Sequence, residues 1–184
     1  MPIISSVTQA DIAQMINICA QNLVENNRGR FDANDFAAKG FLIRKLTKED
    51  VREMLADQEN HFACVAKNGE EVLGYLTGCD VSKTEIDFFK HAPELEKLKN
   101  QKIFYHKQIV KKPDAKNIGS KLLFAMFDEA KRRNYLHVVC RIVHKPFFNQ
   151  ASVSFHEKFG FKEIGAMEEN GLQLGIYLKD LSEI

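Results

Sequence analysis

Residues 103–143 constrain the fold of this 184-residue chain more than any other stretch. Ile103–Val110 reads as a buried strand, apolar or aromatic at Ile103, Phe104, Tyr105, Ile109 and Val110 and free of glycine and proline. From Ile118 the apolar positions recur at Leu122, Leu123, Met126, Phe127 and Ala130, which is the stripe of an amphipathic helix. Asp128, Glu129, Lys131, Arg132 and Arg133 fall largely off that stripe and leave one face solvated. Asn134 tolerates the left-handed conformation that closes a helix. Leu136–Val143 is then nearly all apolar, as a strand of a parallel pairing, covered on both faces, must be.

The junction between the first strand and the helix is a candidate for chemistry. The opening amides of a helix have no intrahelical partner and lie at the positive end of its dipole. A turn entering that helix can wrap its N–H groups around a phosphate. Asn117 and Gly119 tolerate backbone angles that other residues resist, and Lys111, Lys112, Lys116 and Lys121 supply positive charge. The same residues also describe an ordinary solvated turn, so the junction alone does not decide.

Upstream, Ile3–Val7 reads as an edge or first strand. Thr8 opens a helix with Asp11 as its capping partner and Val7 stapled onto Ile12. Ile12, Met15, Ile16, Cys19 and Leu23 form its buried stripe, and a polar and aromatic connector to about residue 44 is long enough to line a site. Thr47, Asp50, Leu46 and Val51 repeat the capping device. His61–Ala66 and Glu71–Thr77 flank Asn68 and Gly69, the strongest short hairpin signal. Residues 80–101 hold too few apolar side chains for a core element, and Pro93 divides them, so a flap of short helical turns over the sheet edge is expected. Phe161–Met167 and Leu172–Leu178 form a last hairpin around Asn170 and Gly171.

These elements make one mixed α/β domain over residues 1–184, without repeats or a dividing linker. With 45% hydrophobic and 28% charged residues the chain is neither disordered nor membrane-embedded. Its start lacks the basic-then-apolar plan of a secretory signal, so a cytoplasmic location is expected. A net charge of +1 argues against nucleic acid as the partner. Cys19, Cys64, Cys79 and Cys140 form no Cys-x-x-Cys pair, and the six histidines form no i, i+4 pair, so free thiols and no metal are expected.

Asn149–Gly165 is more specific. Asn149 can cap a short helix that carries Ala151, Phe155 and Phe159 inward; Gly160 ends it and Phe161 begins the next strand. Asn149 and Ser152, followed by Phe155, His156, Glu157, Lys158, Gly160 and Phe161, closely resemble the late motif of the GNAT superfamily of acyl-CoA-dependent N-acyltransferases. Element order and the spacing to the central turn fit the same family from about residue 60 onward. The resemblance implies a six- or seven-stranded mixed sheet with helices on both faces, splayed between strands four and five. It implies acetyl-CoA (coenzyme A) as cofactor, its pyrophosphate held by the amides of Lys116, Asn117, Ile118, Gly119, Ser120 and Lys121. The pantetheine arm would lie along Ile109, Val110 and Lys111, with Asn149 and Ser152 beside it. The turn departs from the family's Gln/Arg-x-x-Gly-x-Gly/Ala: Asp114 replaces a basic or amide residue, and Asn117 replaces the first glycine.

Acyl transfer from a thioester to an amine needs a neutral amine, a donor to the developing oxyanion and a proton for the departing thiolate. The donor implied by the resemblance is a main-chain amide of the strand ending near Lys111. His156, where the family most often has tyrosine, is the candidate acid for the thiolate. Tyr105 is the candidate for deprotonating the amine, with His106 second. Strict alternation puts these two on opposite faces, so at most one should face the acceptor. His144, Glu85 and Asp87 are further candidates, and each of these residues also suits a purely structural place. The reading is an N-acetyltransferase acting on a small-molecule amine or a peptide amino group, monomeric or homodimeric and away from membranes. A GNAT-fold module that binds acyl-CoA without turnover and an RNA-directed acyltransferase are the alternatives.

Overall fold

Local chemistry sets the element boundaries. The computed structural model describes residues 2–27, 35 and 38–183. Its elements run β1 (Ile3–Ser6), α1 (Ile12–Asn22), α2 (Val24–Asn27), α3 (Lys48–Ala56), β2 (His61–Asn68), β3 (Glu71–Asp80), α4 (Phe88–His91) and α5 (Pro93–Glu96). They continue with β4 (Ile103–Lys111), α6 (Ile118–Arg132), β5 (His137–Lys145), α7 (Gln150–Lys158), β6 (Lys162–Glu169) and β7 (Leu172–Asp180). Both expected capping boxes form. At the first, a single turn of tighter helix precedes α1, and the buried Asp11 carboxylate also pairs with Lys67 at 2.6 Å. The last hairpin turns through Asn170 and Gly171, both at positive φ (52° and 75°).

The strands form one seven-stranded sheet in the order β1-β2-β3-β4-β5-β7-β6, antiparallel except between β4 and β5. On one face α6 packs Leu122, Leu123, Met126 and Phe127 against Leu76, Phe104, Val138 and Cys140. On the other, α1 and α3 bury Met15, Ile18 and Val51 against Val65, Val72, Tyr75 and Val110. All four cysteines are buried free thiols. Among the described residues, no helix is long and apolar enough to cross a membrane.

The flap over 80–101 corrects the sequence expectation. Its short helices α4 and α5 do form, yet Phe88, Ala92 and Leu95 are fully buried against Ile103, Tyr105, Val139 and Ile176. A few apolar residues suffice because the turns point all of them at the sheet. A Cβ on Gly165 would stand 2.4 Å from the His91 carbonyl, so only glycine lets the flap backbone approach β6 this closely.

Two features of β4 set the geometry at the centre of the sheet. It pairs with β5 only from Ile103↔His137 to His106↔Cys140, and beyond that point the strands part. Against β3, Thr77 pairs with Gln108 and Gly78 with His106, which leaves Lys107 as an extra residue. This bulge shifts the alternation by one position. His106 faces α6 and Tyr105 the flap, whereas past the bulge Ile109 faces α6 and Val110 faces α1.

Candidate active site

Where β4 and β5 part, main-chain polar groups lose their partners. Bonded and non-bonded pairs alternate along an antiparallel ladder. The Lys112 amide donates to the Leu73 carbonyl at 2.8 Å, so the register bonds Val110 and Gln108 to β3 and turns the amides and carbonyls of Ile109 and Lys111 away from it, where the Lys111 carbonyl accepts from Asn22 Nδ2 at 3.3 Å. Val110, expected to bind cofactor, therefore has its amide engaged, while Ile109 and the Lys111 amide keep the geometry the resemblance implies.

The gap opens into a cavity of about 350 Å³ that reaches through the sheet. His106, Ile109, Gly119, Phe155 and His156 line it on the α6 side, and Tyr105, Gln108, Arg141 and Val143 on the other. Both Tyr105 and His106 thus reach one cavity, because it penetrates the splay rather than lying on one face. Residues 40–46 form a further wall. That strap is held by Asn149 Nδ2 donating to the Phe41 carbonyl at 3.1 Å, and by Gln108 Nε2 donating to the Arg44 carbonyl at 2.8 Å. Leu42 exchanges backbone hydrogen bonds with Asn22 and Val24. The connector expected to line a site does so here, and its residues 28–34, 36 and 37 lie outside the described residues.

Beside the cavity, Asn117 takes the left-handed angle (φ 59°) its residue type allows and offers no side-chain cap to α6. The first amides of α6 are left for an external acceptor. Lys116 and Asn117 are exposed, Gly119, Ser120 and Lys121 are half-buried, and the Ile118 side chain is buried. Two of the four lysines are occupied: Lys112 pairs with Glu71, and Lys111 Nζ turns back to the Pro113 carbonyl at 3.2 Å. Asp114 is exposed on the turn. A Cβ on Gly119 would meet the Phe155 ring at 3.3 Å, so this glycine also admits α7 against the start of α6.

Protonation states follow from burial and partners. His156, only 3% exposed, donates from Nδ1 to the Ser152 carbonyl at 2.7 Å, since a carbonyl can only accept. Burial holds its pKa down to about 4, so the ring is neutral near pH 7, and Nε2 is sealed without a partner. A neutral ring with Nδ1 committed and Nε2 sealed does not suit the part of acid for the thiolate that the resemblance gave His156. His106 packs edge-on at 5.4 Å, and burial, then His156, hold it well below the ordinary histidine value. Its Nδ1 lies 3.3 Å from the Met126 sulfur, an acceptor, which puts the proton on Nδ1. His106 Nε2 has no partner among the described residues and, unlike that of His156, is not sealed.

Tyr105 is buried, and that burial raises its pKa although Arg141 pulls the other way, so the hydroxyl stays protonated. Arg141 Nε donates to the Tyr105 oxygen at 3.2 Å, and Nη1 donates to Glu169 at 2.8 Å. Arg141, Glu169 and Gln108 were not singled out from the sequence. The one available signal was an arginine in the middle of the nearly all-apolar run 136–143. Asn149 caps α7 through the Ser152 amide at 3.2 Å as well as holding the strap, so both its side-chain groups are in use. His144 turns instead to Tyr177 at 3.0 Å, Asp87 caps α4, and neither these nor Glu85 lines the cavity.

The acetyltransferase (GNAT) family description matches residues 34–161, well over half of the chain. The chain belongs to the GNAT acetyltransferase family. Its fold is shared with an N-acetyltransferase from Staphylococcus aureus Mu50, at 22% identity over 98% of this chain and 99% of that one, TM-score 0.64. It is likewise similar to yncA from Salmonella typhimurium, solved with acetyl-CoA (20% identity, 98% and 94% covered, TM-score 0.65). A ribosomal-protein-alanine N-acetyltransferase from Brucella melitensis matches at 20% identity over 97% and 99% of the chains, TM-score 0.65. No curated protein matches the sequence. The GNAT match takes in the strap, the splay, the turn and α7, and stops before the β6–β7 hairpin that carries Glu169.

Proposed function

We propose that this GNAT protein is an N-acetyltransferase that moves an acetyl group from acetyl-CoA to an amine of a small molecule or peptide by direct attack. The observation that carries this reading is a cavity through the splay, bordered by the outward-turned main chain of Ile109, the Lys111 amide and the uncapped start of α6. These residues suit acetyl-CoA. The amides behind Asn117 would hold phosphate, the polar main chain of Ile109 and the Lys111 amide would hold the amide-bearing arm, and Ile109, Ile142 and Phe155 would flank its apolar stretches. When bound, acetyl-CoA supplies a thioester carbonyl for the amine to attack and a thiol to leave.

The chain's own groups then divide the remaining tasks. A β4 amide turned into the gap donates where negative charge develops. Tyr105, held protonated, is a hydrogen donor, and His106 Nε2, an open lone pair on a ring kept neutral, accepts a hydrogen bond from the attacking amine and orients it. These roles reverse the protonation logic expected for Tyr105. His156 is a positioning residue: its Nδ1 hydrogen bond stays within α7, and its ring packs edge-on against His106 of β4. Calorimetry with acetyl-CoA and a thiol-release assay against an amine panel test the reading. Tyr105→Phe and His106→Asn should each lower kcat about a hundredfold with acetyl-CoA affinity retained. Absence of acetyl-CoA binding would overturn it, and binding without thiol release on any amine would make the protein a CoA-binding module.

A further inference from the structure

Arg141 is a mostly buried charge lining the cavity that acetyl-CoA does not require. It stands on β5 on the face opposite the start of α6, with its side chain 12% exposed. Three directional contacts fix its plane, Nε to the Tyr105 oxygen and Nη1 to Glu169 and to the Met167 sulfur at 3.6 Å, and the Tyr105 ring lies 5.8 Å from the guanidinium carbon. Nη2 has no partner among the described residues. Nor is it sealed, since the buried side-chain atoms without partners are His137 Nδ1 and His156 Nε2. A guanidinium held rigid, largely dry and with Nη2 open is a receptor for a carboxylate, which it binds by a charge-assisted hydrogen bond from Nη2.

The rest of the cavity agrees in sign and polarity. Six of its lining residues are lysine or arginine against one acid, Asp50; Arg44 pairs with Asp50 at 3.7 Å and Lys39 with Asp35 at 2.9 Å, while Lys45 and Lys107 leave the lining net positive although the whole chain carries only +1. A net positive lining concentrates an anionic ligand and opposes a polycationic one. Glu169 is 40% exposed, so water screens it more than the arginine it faces. Phe41, Val143 and Leu174 form an apolar wall on the same side.

Building on the acetyltransferase reading, we infer that the acceptor is an amine bearing its own carboxylate, of the α-amino-acid class with an apolar side chain. Arg141 binds the carboxylate, the Phe41–Val143–Leu174 wall takes the side chain, and the amine is left facing the splay. Polyamines and lysine-rich tails are disfavoured because their second cation meets the cationic lining.

The test is thiol release from acetyl-CoA with the free amino acids, each paired with its carboxamide, and with spermidine. The carboxamide keeps the amine and side chain, loses the negative charge and has the more readily deprotonated amine, so the comparison is biased against the inference. At least one apolar amino acid should exceed its carboxamide tenfold or more in kcat/KM. Arg141→Met should raise KM for the acid about tenfold more than KM for its carboxamide, while any loss of kcat through the Tyr105 hydrogen bond is shared by both partners of a pair. Glu169→Gln, which removes the competing carboxylate, should lower KM for the acid. Carboxamides or spermidine used as well as the acids would overturn the inference while leaving the acetyltransferase reading intact. So would an Arg141→Met variant whose KM rises equally for both partners of a pair. Wild-type protein that fails to bind acetyl-CoA by calorimetry would refute the parent reading and this one with it.

Discussion

Asn149 joins two elements that are far apart in sequence, and its replacement should separate two energies. Its Oδ1 accepts the Ser152 amide at the start of α7 at 3.2 Å, and its Nδ2 donates to the buried Phe41 carbonyl at 3.1 Å. Loss of an N-cap costs about 1 kcal/mol. Loss of the buried hydrogen bond to Phe41 should cost about 1–2 kcal/mol more. Asn149→Ala should therefore destabilise by about 2–3 kcal/mol, which for a chain of this size lowers Tm by roughly 5–10 °C. Asn149→Ser keeps a capping oxygen but has no donor for the strap, so it should lose only the second part. Urea titration of the three proteins measures the energies, and hydrogen exchange at Leu42 and Leu46 reports on the strap. Both variants should exchange faster there, with stability in the order wild type, Ser, Ala. Equal stability of the two variants, with strap exchange as in wild type, would refute the idea that Asn149 clamps the cavity wall to α7.

Two further expectations concern acid stability and the cofactor turn. The folded chain keeps His156 neutral down to about pH 4, whereas the unfolded chain takes up that proton near 6.5, so its contribution is intact above 6.5 and is lost as pH falls toward 4. The loss is on the order of 3 kcal/mol, His106 adds in the same direction, and a wild-type minus His156→Phe stability difference that stays constant from pH 7 to 4.5 would contradict it. Gly119→Val should weaken acetyl-CoA binding tenfold or more by displacing the Phe155 ring that a Cβ already meets at 3.3 Å, and Phe155→Ala in the same chain should restore part of it. Unchanged calorimetric affinity in the single variant would move the phosphate site away from α6.

What was legible in the sequence were the features whose causes lie within a few residues. Thr8 with Asp11 and Thr47 with Asp50 are capping partners three positions apart, and the stripe from Ile118 to Ala130 repeats every turn. Asn117 adopts the left-handed angle because its own side chain tolerates it. The Asn149–Phe161 run keeps its helix and strand in the order its motif implied. Only the tertiary structure decided the rest. The extra residue at Lys107 has no local mark, since a bulge is a mismatch between two strands, yet it re-aims every side chain from Gln108 onward. Glu169 reaches Arg141 from 28 positions away along the chain, across a sheet whose β5–β7–β6 order no short-range pattern specifies. The proton states of Tyr105, His106 and His156 depend on how much water packing removes from each ring, and that is a sum over neighbours contributed by β4, α6, α7 and the flap together.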